Sequence, residues 1–126
     1  MTNQHEHPAA PTILICDDED SLRELIRAVL GQGYRYVEAV DGEGALELAR
    51  ADSPDLIILD VMLPRLNGLQ VLAELRRDDR HRTTPVIVVT AWSHAAEAAT
   101  AAGADVFLSK PFEPDFLSRT VEELIR

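Results

Sequence analysis

Apolar residues along this chain fall into two alternating patterns. Short apolar runs occupy Ile13–Cys16, Tyr36–Val40, Leu56–Leu59, Val86–Val89 and Val106–Leu108. Several are β-branched and apolar at successive positions, the mark of strands buried on both faces, as in a parallel sheet covered by helices. Helical spacing fills the intervals. Leu22, Leu25, Ile26, Val29 and Leu30 form one stripe at i, i+3, i+4, i+7 and i+8. Asp20 or Ser21 is expected to cap that helix, and Gly31 or Gly33 to end it. Ala45, Leu48 and Ala49 make a weaker second stripe, and Leu69, Leu72 and Leu75, with Val71 beside them, a third. The alanine-rich stretch Ser93–Ala102 stops at Gly103. A last helix starts near Pro114, which suits a first turn, and carries Phe116, Leu117, Val121, Leu124 and Ile125.

Five strands, each followed by a helix, make an α/β chain of (βα)5 type. Right-handed crossovers build these into a doubly wound five-stranded parallel sheet with helices on both faces, expected in the order 2-1-3-4-5. Residues 1–11 are polar and read as a flexible N-terminal tail. Residues 12–126 read as one domain, which the length of 126 residues and the 46% apolar content both fit.

Charge narrows the function. A net charge of −10 argues against these residues gripping nucleic acid or an anionic membrane, and suits cation binding. Cys16 is the one cysteine and sits in an apolar run, so no internal disulfide is possible and a buried core thiol is expected. The first residues have no apolar segment of a signal peptide, and no run approaches a membrane span. A cytoplasmic protein is the expectation. Whether an output domain follows in a longer chain is left open.

In open α/β sheets, sites form beyond the carboxyl ends of the strands. After the first strand come Asp17, Asp18, Glu19 and Asp20; after the third, Asp60; after the fourth, Thr90; after the fifth, Ser109, Lys110 and Pro111. Asp41 and Gly42, after the second strand, lie farther off in this strand order. Asp17, Asp18 and Asp60 would repel one another if left alone. A divalent cation resolves that conflict, and Mg²⁺ suits a few carboxylates, retained waters and a phosphate oxygen. Lys110 is the only lysine among twelve basic residues. That choice points to a compact ammonium for one phosphoryl oxygen rather than a planar fork. Pro111 admits a cis peptide before it.

These residues resemble the response-regulator receiver family of two-component signalling. The matching stretches are Cys16-Asp17-Asp18-Glu19, then Leu59-Asp60-Val61-Met62-Leu63-Pro64 with Asn67-Gly68, then Val89-Thr90-Ala91, then Lys110-Pro111-Phe112. The resemblance covers residues 12–126. It implies that Asp60 takes a phosphoryl group from a phosphohistidine on a sensor histidine kinase or phosphotransfer protein. It implies Mg²⁺ held by Asp18, Asp60 and the backbone carbonyl of Met62, with Asp17 acting mainly through water. Thr90 and Lys110 would each meet a phosphoryl oxygen, and Phe107 matches a switch aromatic that moves with Thr90. The readout would be the face of the fourth helix, fifth strand and fifth helix, which is also a possible homodimer surface. No classical enzyme activity is expected beyond self-catalysed phosphorylation and slow autodephosphorylation.

Plainer readings stand beside these. Asp20 reads as a helix cap. Phe107 fits a packing aromatic on an outer strand as well as a switch. His5 and His7 form a metal-binding type of pair, but read as solvated tail. Arg76, Arg77, Arg80 and Arg82 read as the exposed end of the third helix and its loop. Trp92 stands two beyond Thr90, where this family often has something smaller, and Met62 stands two beyond Asp60; both are expected to limit the water that hydrolyses the acyl phosphate. A degenerate receiver acting only as an interaction module is the alternative; the intact set Asp17, Asp18, Asp60, Thr90 and Lys110 speaks against it. A flavodoxin-like cofactor binder would need a phosphate cradle where four acids stand. A haloacid-dehalogenase-like hydrolase would want an aspartate where Met62 stands.

Overall fold

Five parallel strands run in the order β2-β1-β3-β4-β5 in the computed structural model, which describes residues 10–126. The strands are β1 (Thr12–Cys16), β2 (Arg35–Ala39), β3 (Leu56–Leu59), β4 (Val86–Thr90) and β5 (Val106–Ser109). The helices are α1 (Asp20–Leu30), α2 (Gly42–Asp52), α3 (Gly68–Arg77), α4 (Ala96–Ala102) and α5 (Pro114–Ile125). The tail expected over residues 1–11, with His5 and His7, lies almost wholly outside the described residues.

Successive side chains of each central strand enter opposite layers. Leu14, Cys16, Ile57, Leu59, Val86 and Val88 pack with Ala45 and Ala49 of α2, Val71, Leu72 and Leu75 of α3, and Ala99 of α4. Ile13, Ile15, Leu56, Ile58, Ile87 and Val89 pack with Ile26 and Leu30 of α1 and Leu117 and Val121 of α5. The three central strands are buried along their whole length, which is why their sequences are continuous apolar runs rather than alternating ones. The edge strands β2 and β5 are only half-buried.

Several local expectations need correction. The N-cap of α1 is Glu19, without a side-chain cap, rather than Asp20 or Ser21. Asp20 is already inside the first turn and is paired with Arg23. Gly31 ends the helix at φ 78°, a backbone conformation that glycine adopts without strain. The second strand starts at Arg35 and stops at Ala39, leaving Val40 exposed. The alanine-rich stretch divides into a short 3₁₀ turn at Ser93–Ala95 and α4. Arg76 does not belong to an exposed arginine cluster. Its guanidinium donates to the carbonyl oxygens of His81 at 2.7 Å, Thr84 at 2.9 Å and Gly103 at 2.8 Å. It thereby ties the end of α3 to the loops before β4 and β5. No helix among the described residues is long and apolar enough to cross a membrane.

Candidate functional site

The register of the sheet brings the expected residues to one edge. Cys16 pairs with Leu59 and Thr90 with Ser109, so β1, β3, β4 and β5 end at nearly the same level. Asp17, Asp60 and Lys110 follow directly. Backbone bonds fix this edge: Asp60 N–H donates to the Cys16 carbonyl at 3.0 Å, and Lys110 N–H to the Thr90 carbonyl at 2.9 Å.

The loop after β3 is held by the start of α3. Gly68 N–H donates to the Val61 carbonyl at 2.8 Å. Asn67 and Gln70 form a reciprocal capping box, each side chain accepting from the other's backbone N–H at 3.0 Å. On the other side, Gly42 N–H of α2 donates to the Pro64 carbonyl at 3.2 Å. A Cβ on Gly42 would fall 1.8 Å from the carbonyl oxygen of Leu66, so that loop rests against bare backbone at both helix starts.

Lys110 reaches into the acids. Its Nζ lies 2.8 Å from Asp60 Oδ2 and 2.9 Å from Asp17 Oδ2, with Glu19 Oε1 at 3.8 Å. The second oxygen of each aspartate is taken by backbone: Met62 N–H donates to Asp60 Oδ1 and Glu19 N–H to Asp17 Oδ1, both at 2.9 Å. Asp60 and Asp17 are 5% and 3% exposed, whereas Asp18 is exposed. The Lys110–Pro111 peptide is cis.

These surroundings split the two buried acids. Burial opposes the charge on Asp60, but the Lys110 bond and the Met62 amide outweigh it and hold its carboxyl below the usual range. On Asp17 burial prevails, aided by the neighbouring Asp60 charge and against the Lys110 bond, and its carboxyl is held above that range. Burial likewise works against the Lys110 ammonium, yet its bonds to Asp60 and Asp17 raise its pKa overall. The Cys16 thiol is pushed far up by burial and then by the Asp17 charge, and stays a neutral core group.

Carboxylate oxygens of Asp17, Asp18 and Asp60 come within 4.8 Å of one another. An all-oxygen set of two buried acids and one exposed acid fits a hard divalent cation that keeps part of its water. Beside it opens a cavity of about 500 Å³ lined by Asp18, Val61, Met62, Leu63, Pro64, Asn67 and Trp92. Met62 and Trp92 are 57% and 46% exposed at its rim. Thr90 is fully buried, and its Oγ1 accepts from Trp92 N–H at 3.3 Å. Phe107 pairs with Val88 and is half-buried against the α2–α3–α4 layer. Asp41 stays outside the cluster: its side chain accepts from Gly44 N–H at 2.7 Å and caps α2.

Two polar residues near this architecture give no sign of themselves in the sequence. Arg23 is buried beneath the first acidic turn. His81 is 1% exposed, with Nδ1 3.3 Å from Thr84 Oγ1 and no partner for Nε2 among the described residues. A charged side chain on a helix reads as solvent-facing unless its distant partners are known.

Comparisons with known proteins agree with one another. The family model of the response regulator receiver domain matches residues 13–122. The chain is 42% identical over 119 residues to the response regulator MprA of Mycolicibacterium vanbaalenii, covering 90% of this chain and 50% of MprA. It is 38% identical over 117 residues to the alkaline phosphatase synthesis transcriptional regulatory protein PhoP of Bacillus subtilis, covering 90% and 48%. The chain thus spans about half the length of the curated relatives it matches. Among solved structures it is similar to the receiver domain of a sensor histidine kinase of Pseudomonas aeruginosa, determined with a magnesium ion coordinated in its active site cleft. The TM-score is 0.84 at 32% identity, over 93% of this chain and 98% of that one.

Proposed function

The chain belongs to the response regulator receiver domain family, and from that premise we propose that it accepts a phosphoryl group on Asp60 in a Mg²⁺-dependent reaction. The donor is a phosphohistidine of a sensor histidine kinase or phosphotransfer protein. The observation that carries the reading is the Lys110 ammonium, which lies within 2.9 Å of both Asp60 and Asp17 while Asp18 completes a carboxylate cluster. Residues 12–126 act as the receiver unit.

Asp18 and Asp60, with the backbone carbonyl of Met62, would hold the cation, and Asp17 would act mainly through water. When bound, the cation neutralises charge on the transferring group. Asp60 is kept ionised by its surroundings, which is the state a nucleophile needs. As Lys110 releases it, Asp60 Oδ2 attacks phosphorus, the bond from phosphorus to the histidine nitrogen breaks, and the electron pair leaves with the imidazole. Lys110 then turns from Asp60 to a phosphoryl oxygen, and the Thr90 hydroxyl donates to another. Thr90 is packed against β5, so its movement is felt at Phe107 and at the face of α4, β5 and α5. That face is the proposed readout and a possible homodimer surface. Nucleic-acid contact is not assigned to these acidic residues, and the lone buried cysteine suits work in the cytoplasm.

The test is incubation with a small acyl-phosphate donor, with Mg²⁺ or with a chelator, followed by intact mass of the wild type and Asp60→Asn. One phosphoryl addition that needs Mg²⁺ and is lost in the variant is expected. No addition in folded wild-type protein would leave only an interaction module.

A further inference from the structure

Arg23 stands on α1, away from the cavity, and the proposed chemistry does not use it. Its guanidinium is nonetheless buried and divides between three acceptors. Nη1 donates to the backbone carbonyl of Asp17 at 2.7 Å, and Nε to Glu38 Oε1 at 2.7 Å. Nη2 pairs with Asp20. Glu38 is paired in turn with Arg27, one turn further along α1.

These bonds meet at the metal acids. Glu38 lies on β2 opposite Ile15, and its neighbour Ala39 lies opposite Cys16. The Ala39 carbonyl accepts from Asp17 N–H at 3.1 Å. Both backbone polar groups of Asp17 are therefore held: the N–H by Ala39, and the carbonyl by Arg23, which is itself anchored on β2 through Glu38. The side chain of Asp17 closes the turn onto Glu19 N–H. The turn that carries Asp17 and Asp18 is thus braced from outside the site by one planar fork. A lysine ammonium lacks the geometry to serve three acceptors in these directions.

We propose that Arg23 is a positioning residue: it holds the turn after β1 so that Asp17 and Asp18 face a divalent cation together with Asp60. This rests on the cation site of the reading above. The sign of its effect separates it from plain electrostatics. Arg23 is a cation beside the acidic turn, so by charge alone its removal would tighten Mg²⁺ binding. Positioning demands that removal weaken it. Loss of a group that orients metal ligands costs roughly 10–100-fold in metal affinity.

The experiment titrates Mg²⁺ into the full chain, read by calorimetry and by Trp92 fluorescence, since Trp92 and Asp18 line one cavity. Wild type, Arg23→Lys, Arg23→Gln, Glu38→Gln and Arg27→Gln are compared, with circular dichroism as the check on folding. Affinity is expected to fall about tenfold or more in both Arg23 variants, and by a smaller factor in Glu38→Gln. A folded Arg23→Gln that binds Mg²⁺ as well as wild type, or more tightly, overturns the proposal. Should neither Arg23 variant fold, Arg27→Gln decides: it removes a cation, so charge alone would tighten binding, whereas loosening the Glu38 anchor weakens it; weakened binding supports the brace, and unchanged or tighter binding overturns it. Wild type that binds no Mg²⁺ overturns the cation site itself, a failure distinct from equal binding by wild type and variants.

Discussion

Gly68 stands where a Cβ would fall 2.3 Å from the carbonyl oxygen of Asp60 and 2.7 Å from the Cα of Val61. The first residue of α3 and the peptide after Asp60 therefore share space that only glycine leaves open. In an ordinary helix, replacing glycine by alanine stabilises by roughly 0.5–1 kcal/mol. Here Gly68→Ala is expected to destabilise by about 1–3 kcal/mol, the usual range for overpacking, and to slow phosphorylation by displacing the Asp60 loop. Urea unfolding and phosphorylation rate check this. Unchanged or raised stability would show that the loop yields freely.

Lys110 is the second point of tension. It satisfies two acids that are almost wholly buried, so its loss leaves uncompensated charge. Lys110→Met is expected to lower metal-free stability by roughly 3 kcal/mol. The same variant should bind Mg²⁺ more tightly, because a competing cation is gone, while being phosphorylated more slowly. Calorimetric Mg²⁺ titration together with chemical denaturation reads both signs. Weaker Mg²⁺ binding would mean that the ammonium orders the site rather than competing in it.

Met62 and Trp92 rim the cavity beside Asp18 and are expected to limit the water that hydrolyses the acyl phosphate. Replacing both with small polar residues should shorten the lifetime of the phosphorylated form several-fold. The decay of the phosphorylated mass after donor removal measures it. An equal lifetime would show that other groups control water access.

Alkaline pH tests the layer under α1. Burial is the first cause that raises the pKa values of Tyr34 and Tyr36 above 10.0, and the Tyr36 hydroxyl donates to the Gly31 carbonyl at 2.5 Å. A raised folded-state value means that stability is fully present below the unfolded value and is lost as pH rises through the folded one. Lys110, also raised, from 10.5, acts in the same direction. Thermal midpoints should therefore fall above about pH 10, and fall less steeply in Tyr36→Phe. An identical slope in the variant would assign the loss elsewhere.

The architecture and the acidic edge were legible in the sequence for the same reason. Central strands buried on both faces must be continuous apolar runs, and each such run ends in the residues that face the cleft. Asp17, Asp60 and Thr90 follow from that rule without knowledge of contacts, and Lys110 follows the shorter apolar run of the edge strand β5. Arg23, Arg76 and His81 do not. Arg23 and Arg76 are held by partners far along the chain, Glu38 and Gly103, and His81 is buried although its partner Thr84 is near in sequence; periodicity records none of this. The division between the 3₁₀ turn at Ser93–Ala95 and α4 was hidden too, because an alanine run offers no face to read.

Where the phosphoryl group resides is the central question. An acyl phosphate is reduced by borohydride to an alcohol, which turns an aspartate into homoserine at the modified position. Phosphorylated protein, reduced, digested and mapped by mass spectrometry, is predicted to carry homoserine at position 60 alone. Homoserine at position 17 or 18, or none after a confirmed phosphoryl addition, would contradict the assignment of Asp60.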